Sequence, residues 1–323
     1  MSDNSKYKIA SFFAGVGGID LGFEQTGNFE TVYANEADPY PVRTFEKNFS
    51  IKVDCRDIRD VMPEDVPDAD GYIFGFPCQA FSVAGYRQGF DDEKGRGNLF
   101  FEVMRLVHEK HPRFLLAENV KNLAAHDGGH TLSVILEALE AEGYHYKYKI
   151  LNAMEYGNTP QNRERIYIAA FRSPEACERF EFPPPVPLTK GLRDIIDFEH
   201  QMPEKYYYTP GKYKGDIYEQ LSSTMDEPDA VYQWRRKYVR RNMSGVVPTL
   251  TANQGGGGHN VCLIRTGHGI RKMTPRECFN AQGFPEDFIL PEDMADSRLY
   301  KQAGNSVCVG VIRRIAEKIS EVL

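Results

Sequence analysis

The run Lys8-Ile9-Ala10-Ser11-Phe12-Phe13 reads as a strand, and it breaks at once into Ala14-Gly15-Val16-Gly17-Gly18. Ile19, Leu21, Gly22 and Phe23 then continue in a helical pattern. Strand, glycine turn and helix start in this order describe a nucleotide-type site, because glycines let a ligand come close to the backbone at a helix N-terminus. The spacing is G-x-G-G rather than G-x-G-x-x-G, so the dinucleotide fingerprint is incomplete.

The same grammar repeats down the chain. Thr31-Val32-Tyr33-Ala34 is a second strand ending at Asn35-Glu36, where an acidic side chain can accept from both hydroxyls of a ribose. A third short element, Ile51-Lys52-Val53, leads to Asp57-Ile58, placed to meet an adenine amino group. Tyr72-Ile73-Phe74 is a buried strand, residues 99–111 a helix ended by Pro112, and Phe114-Leu115-Leu116-Ala117 a strand ending at Glu118-Asn119-Val120. Another helix at 132–139 and strands at 145–151 and 166–171 complete the pattern, with Gln161-Asn162-Arg163-Glu164-Arg165 just before the last. Polar residues at the carboxyl ends of apolar strands are where open α/β sheets bind ligands, so a doubly wound α/β domain is expected.

Gly75-Phe76-Pro77-Cys78-Gln79-Ala80-Phe81-Ser82 follows one of these strands. Proline fixes its own φ and restrains the residue before it, so Cys78 enters a rigid turn. A thiol attacks as its thiolate, which makes Cys78 a candidate nucleophile; an inert loop cysteine is the competing reading. The other cysteines (Cys55, Cys177, Cys262, Cys278, Cys308) are scattered, with no C-x-x-C pair, so neither a disulfide framework nor a zinc knuckle is indicated and no metal is expected. The polar start, Met1-Ser2-Asp3-Asn4-Ser5, lacks a signal-peptide core, and no apolar run approaches the roughly 18 residues of a membrane helix.

The net charge of −7 argues superficially against a nucleic-acid partner, but the distribution does not. Between Lys205 and Arg276 twelve Lys/Arg face five Asp/Glu, a local excess of seven, so the remainder carries −14. The excess concentrates in Arg235-Arg236-Lys237-Tyr238-Val239-Arg240-Arg241, a localised polyanion site. This region begins after the proline-rich 182–187 stretch, and includes Val247-Pro248-Thr249-Leu250-Thr251-Ala252 and the glycine run 255–258. A helix should start at Thr274-Pro275, with Thr as N-cap and Pro at the first position, and another should fill 306–322.

In motif order and over nearly its whole length, the chain resembles the cytosine-5 DNA methyltransferases. Phe13-Ala14-Gly15-Val16-Gly17-Gly18 looks like the methyl-donor loop, Gly75-Phe76-Pro77-Cys78-Gln79 like the nucleophile loop and Glu118-Asn119-Val120 like the base-binding motif. Gln161-Asn162-Arg163-Glu164-Arg165 looks like the paired-arginine motif. Arg271-Lys272-Met273-Thr274-Pro275-Arg276-Glu277-Cys278 and Gln302-Ala303-Gly304-Asn305-Ser306-Val307 look like the two closing motifs. The resemblance implies a Rossmann-like S-adenosylmethionine-dependent methyltransferase domain over 1–184, rejoined by 297–323, with a smaller target-recognition domain at 185–296. It implies a bacterial modification enzyme paired with a restriction endonuclease, cytoplasmic and working on nucleoid DNA. The partner would be duplex DNA and the state a monomer.

By the same resemblance, Cys78 would add to cytosine C6, Glu118 hold N3 and the exocyclic amine, and Arg165 bind O2. Arg163 would orient Glu118 or a nearby phosphate. Donor contacts fall to Phe13, Gly15, Gly17, Gly18, Glu36, Ala37, Asp57, Ile58, Pro77 and Asn305. DNA contacts fall to Ser82, Arg235, Arg236, Arg240, Arg241, Thr249, Thr251 and Gly256. The alternatives are a tRNA cytosine methyltransferase, which shares the motifs, and a non-catalytic DNA-binding relative, against which the intact Cys78, Glu118 and Arg165 set argues. A nicotinamide-dependent oxidoreductase fits less well, because the glycine spacing fails.

Overall fold

The computed structural model describes residues 6–77, 99–213, 215–235, 237–255 and 260–323; Cys78, Ser82, Arg236 and Gly256 therefore lie outside the described residues. The chain divides into two compact units, one of Met1–Leu151, Glu164–Pro184 and Ile312–Leu323, the other of Asn152–Arg163 and Pro185–Val311. The break at Pro184 coincides with the proline stretch. Residues 152–163 and 297–311, assigned to the catalytic domain from sequence, pack within the second unit.

The first unit opens with β1 (Tyr7–Phe12), α1 (Gly18–Glu24), β2 (Phe29–Asn35), α2 (Pro39–Asn48) and β3 (Gly71–Gly75). It continues through α3 (Leu99–Lys110), β4 (Phe114–Val120), α4 (His130–Ala141) and β5 (His145–Asn152). After α5 (Ala153–Tyr156) and β6 (Gln161–Asn162), which belong to the second unit, β7 (Glu164–Phe171) and α6 (Pro174–Arg179) return to the first. The six-stranded sheet has the order β2-β1-β3-β4-β7-β5. Its first four strands run parallel, and β7 lies antiparallel to β4.

Alternation along the strands sends two sets of side chains to opposite faces. Phe12, Tyr72, Phe74, Leu115 and Ala117 join Phe100, Val103 and Val107 of α3 and Ile135 and Leu139 of α4 in one core. Phe23 of α1, Phe29 and Phe114 form an aromatic cluster from the other parity, with ring centroids 4.9–6.1 Å apart. The α3 helix ends where His111 turns left-handed, at φ 48°, ahead of Pro112.

One expectation needs correction. Residues 51–53 form no strand: this stretch meets β2 only at the single bridge Asn35–Asp54, beside which Asn35 Nδ2 donates to the carbonyls of Asp54 and Arg56. The fourth strand runs through its polar end, as expected. Pairing with β7 extends as far as Val120 opposite Arg165, so Glu118 and Asn119 lie inside the strand.

The second unit contains β8 (Tyr207–Tyr208), α7 (Ile217–Thr224), β9 (Tyr232–Trp234), β10 (Val239–Arg241) and β11 (Val247–Pro248). Then come β12 (Leu263–Thr266), β13 (Gly269–Lys272), α8 (Pro275–Asn280), α9 (Asp296–Asn305) and the start of α10 (Val309–Ser320). A five-stranded sheet, β10-β9-β12-β13-β8, packs Tyr208, Tyr232, Leu263 and Ile270 against Leu221 and Met225. Thr274 caps α8 with a reciprocal bond to Glu277, as its sequence foretells. Glu277 also pairs at 2.7 Å with Arg271, which is fully buried. No described helix is long and apolar enough to cross a membrane.

Candidate functional site

The parallel register aligns the carboxyl ends of the first strands: Phe12 sits opposite Asn35 on one side and Phe74 on the other, and Gly75 opposite Glu118. Candidate residues of the first unit collect along this edge. Just beyond β1, Phe13 and Gly15 take left-handed φ values of 53° and 57°. A phenylalanine there is uncommon, and it turns the loop sharply off the strand. The loop is pinned by Ala14 N–H donating to Asn35 O at 3.0 Å and by Gly15 N–H donating to Glu36 Oε2 at 3.0 Å. Gly17 caps the start of α1 at φ 83°, and a Cβ there would stand 2.3 Å from Cε2 of Phe49, so only glycine fits.

Glu36 is thus oriented through both oxygens, since Oε1 accepts from Asp38 N–H at 2.8 Å. A carboxylate can accept several hydrogen bonds on its two oxygens, so one held in this way also suits a diol such as ribose. Asp57 caps the short turn after the Asn35–Asp54 bridge, accepting from Arg59 N–H at 3.0 Å. The Arg59 guanidinium beside it holds the Asp57 carboxyl down at about 2. Ala37 is exposed and Ile58 buried in the core.

A buried carboxyl that sequence reading passed over stands behind the loop. Asp20, in the first turn of α1, accepts from Ser11 Oγ at 3.0 Å, and its Oδ1 has no hydrogen-bond partner among the described residues. Complete burial pushes its carboxyl up to about 7, against the opposing pull of its own backbone N–H and the Ser11 hydroxyl. The available signal was a single acid on the apolar side of α1.

At the end of β3, Asn119 Nδ2 donates to Phe76 O at 2.9 Å, and the Phe76 ring lies 5.3 Å from that of Phe100. The backbone is therefore held down two residues before Cys78. On the neighbouring strands, Arg165 Nε lies 3.1 Å from Glu118 Oε1, both side chains only about a tenth exposed. Lys121 Nζ reaches both oxygens of Glu164, at 2.9 and 2.8 Å, and ties the same two strands at the surface. Asn119 lies within the Glu118-Asn119-Val120 motif, but nothing in the sequence signals this anchoring role.

The two arginines of the paired motif point to different surroundings. Arg163, 2% exposed, donates from Nη1 to Leu250 O at 2.8 Å and from Nη2 to Gly304 O at 3.1 Å and to Ser306 O, all inside the second unit. Gln161 completes this stitching, donating to Ala281 O and accepting from Leu250 N–H. Gly304 is required by close approach: a Cβ would lie 2.1 Å from the Thr251 carbonyl carbon. Asn305, next along, is exposed. Thr249 donates its hydroxyl to Asn162 O at 2.7 Å.

In the basic segment, Arg235 donates to Asn260 Oδ1 at 3.2 Å, Arg240 to Gln233 Oε1 at 2.9 Å, and Arg241 pairs with Glu227 at 3.2 Å. Gln233 and Asn260 carried no sequence signal. Among the described cysteines none is primed for attack. Cys177, Cys262, Cys278 and Cys308 are buried, the Cys262 thiol being pushed up to about 12, while desolvation and then Glu36, Asp38, Asp54 and Glu46 raise exposed Cys55. No group of three His, Cys, Asp or Glu among the described residues could hold a metal.

Residues 7–321 match the family described as C-5 cytosine-specific DNA methylase. The chain is 59% identical to the type II methyltransferase M.Bsp6I of Bacillus sp. (strain RFL6), covering 97% of this chain and 98% of that protein. It is 36% identical to the type II methyltransferase M.HhaI of Haemophilus parahaemolyticus, covering 98% and 95%. In fold it is similar to a Spodoptera frugiperda DNMT2 variant, with a TM-score of 0.75, 19% identity, and coverage of 98% of this chain and 100% of that one.

Proposed function

This chain belongs to the C-5 cytosine-specific DNA methylase family, and from that premise we propose that Cys78, Glu118 and Arg165 carry out the transfer on a cytosine turned out of a duplex. The protein is a DNA (cytosine-5) methyltransferase of the type II restriction-modification kind. The single observation that carries the residue assignment is the Glu118–Arg165 pair, held at the strand edge where Asn119 anchors Phe76 just before Cys78.

Cytosine C5 is too weakly nucleophilic to accept a methyl group unaided. In the proposed mechanism the Cys78 thiolate bonds to C6, and the ring electrons move toward C5. Glu118 holds a proton at N3 and accepts from the exocyclic amine, while Arg165 donates to O2 and holds the Glu118 carboxyl in place. Once C5 carries the methyl group, its proton leaves to a base, and the returning electron pair expels Cys78 from C6. The target base must leave the stack for this, at a cost of a few kcal/mol.

S-adenosylmethionine supplies an electrophilic methyl group when bound. The residues present fit it: Glu36 has two oriented carboxylate oxygens for a ribose, the half-buried Phe13 would pack on the adenine, and the Gly15–Gly18 backbone admits close approach. Asp57, charged and already shared with Arg59, would accept the adenine amine, Ala37, Ile58 and Pro77 would line the pocket, and Asn305 would close it. The names of the type II relatives support a role beside a restriction endonuclease, in a cytoplasm where the enzyme would protect host DNA.

The test is covalent trapping on a duplex with 5-fluorocytosine at the target. Fluorine cannot leave as a cation, so an adduct that needs S-adenosylmethionine and maps to the Cys78 peptide is expected. Cys78→Ser should abolish it. An active enzyme that forms no such adduct on its own site would refute the covalent route.

A further inference from the structure

The basic hairpin contains a device that no motif announces. In β9, Tyr232 and Trp234 turn toward the core formed with Leu221 and Met225, so Gln233 between them faces the opposite side. Arg240 lies directly across from Gln233 in the antiparallel register, and cross-strand partners project from the same face. Gln233 Oε1 accepts from Arg240 Nη2 at 2.9 Å, and its Nε2 donates to Asn260 O at 3.1 Å. With its amide turned to satisfy its neighbours, Gln254 donates to the same Asn260 carbonyl at 2.9 Å and accepts from Cys262 N–H at 2.6 Å. The Asn260 side chain then accepts from Arg235 Nη1 at 3.2 Å. Two nearly inaccessible amides (Gln233 at 4% and Gln254 at 1%) thus converge on the Asn260 carbonyl, and with the Asn260 side chain they extend to two guanidiniums.

Such buried amides are costly unless satisfied, and a satisfied network fixes one arrangement. The amides are neutral, so this brace orients Arg235 and Arg240 without itself cancelling their charge. A guanidinium carries five N–H donors in a planar fork suited to the paired acceptors of a guanine edge, and the brace holds Arg240 through one of them. Arg241 differs, because Glu227 offsets its charge.

Resting on the proposed function, we infer that Gln233 and Asn260 are specificity-determining positioning residues, which through an amide brace aim Arg240 and Arg235 at base edges of the target duplex. Arg241 contributes to backbone attraction alone.

The experiment measures kcat/KM for the wild type on its methylation site and on every single-base-pair variant of it. Methylation of duplex DNA by the wild type is scored first, so a failure of the enzymatic reading is seen separately. Gln233→Met removes both amide bonds at similar volume. It should cut discrimination at one base pair about tenfold or more, with the KM for S-adenosylmethionine unchanged. Asn260→Ala should do the same at another base pair. Glu227→Gln should steepen the salt dependence of binding and leave the ranking of sites as it was. Because Gln233 is buried, a cycle with the exposed Arg240→Ala supplies the decisive comparison. If the amide acts through Arg240, the double variant discriminates no worse than Arg240→Ala alone. Additive losses would overturn the inference, as would folded Gln233→Met and Arg240→Ala proteins with wild-type discrimination or with losses uniform across all duplexes.

Discussion

Arg165 and Glu118 come within 3.1 Å of each other across two antiparallel strands, 47 positions apart in sequence, in surroundings that leave each about a tenth exposed. A pair this dry is worth less to stability than its distance suggests, because desolvation offsets most of the attraction. Its use lies in orientation: a set of donors and acceptors is held rigid beside the segment that leads to Cys78.

Glu118→Gln keeps the shape and some hydrogen bonding but supplies neither charge nor proton to a cytosine N3. The methylation rate should fall by about two orders of magnitude or more, while duplex affinity changes much less. Single-turnover kinetics beside equilibrium binding makes the comparison; near-normal turnover would remove Glu118 from the mechanism.

Arg163→Lys preserves charge and loses the planar fork that reaches three carbonyls. If the residue works by tying together the backbone at 250, 304 and 306, the variant should lose about 2–4 kcal/mol of stability. Denaturant unfolding reads this directly. The lysine variant carries the same charge, so a purely phosphate-binding role would instead leave stability intact.

Glu36→Ala removes the acceptors expected to meet the donor ribose and releases the Gly15 N–H. Calorimetry should show S-adenosylmethionine binding weakened by about 1–3 kcal/mol with the fold intact. Unchanged donor affinity would place the pocket elsewhere.

Asp20 makes stability depend on pH. Its carboxyl titrates near 7 in the folded protein and near 3.8 as a free side chain, so between these values the folded state binds more protons than the unfolded one. Its contribution is fully present below about pH 4 and is lost as pH rises toward and through 7. Asp20→Asn, neutral throughout, should flatten that part of the curve and gain a few kcal/mol relative to wild type at about pH 8. Denaturant melts at about pH 5 and about pH 8 provide the check; parallel behaviour of the two proteins would refute it.

Local chemistry wrote much of this protein into the sequence. Apolar runs of strand length with polar ends, a glycine turn before a helix, and the Thr274-Pro275 start are set by neighbours a few residues away, and each forms much as its pattern dictates. Three outcomes were decided by the tertiary structure alone. Beside residues 51–53, which form no strand, the Asn35 side chain took the carbonyls of Asp54 and Arg56 as its partners. Arg163 and Arg165, two positions apart, took partners in different units: carbonyls 87 to 143 residues away for one, a carboxylate 47 residues away for the other. The arginines of the basic hairpin were sorted by amides and a carboxylate from separate segments. The physical reason is common to all three. A hydrogen-bonding side chain has several possible partners of similar strength, and chain closure, which no local pattern encodes, determines which arrives within about 3 Å.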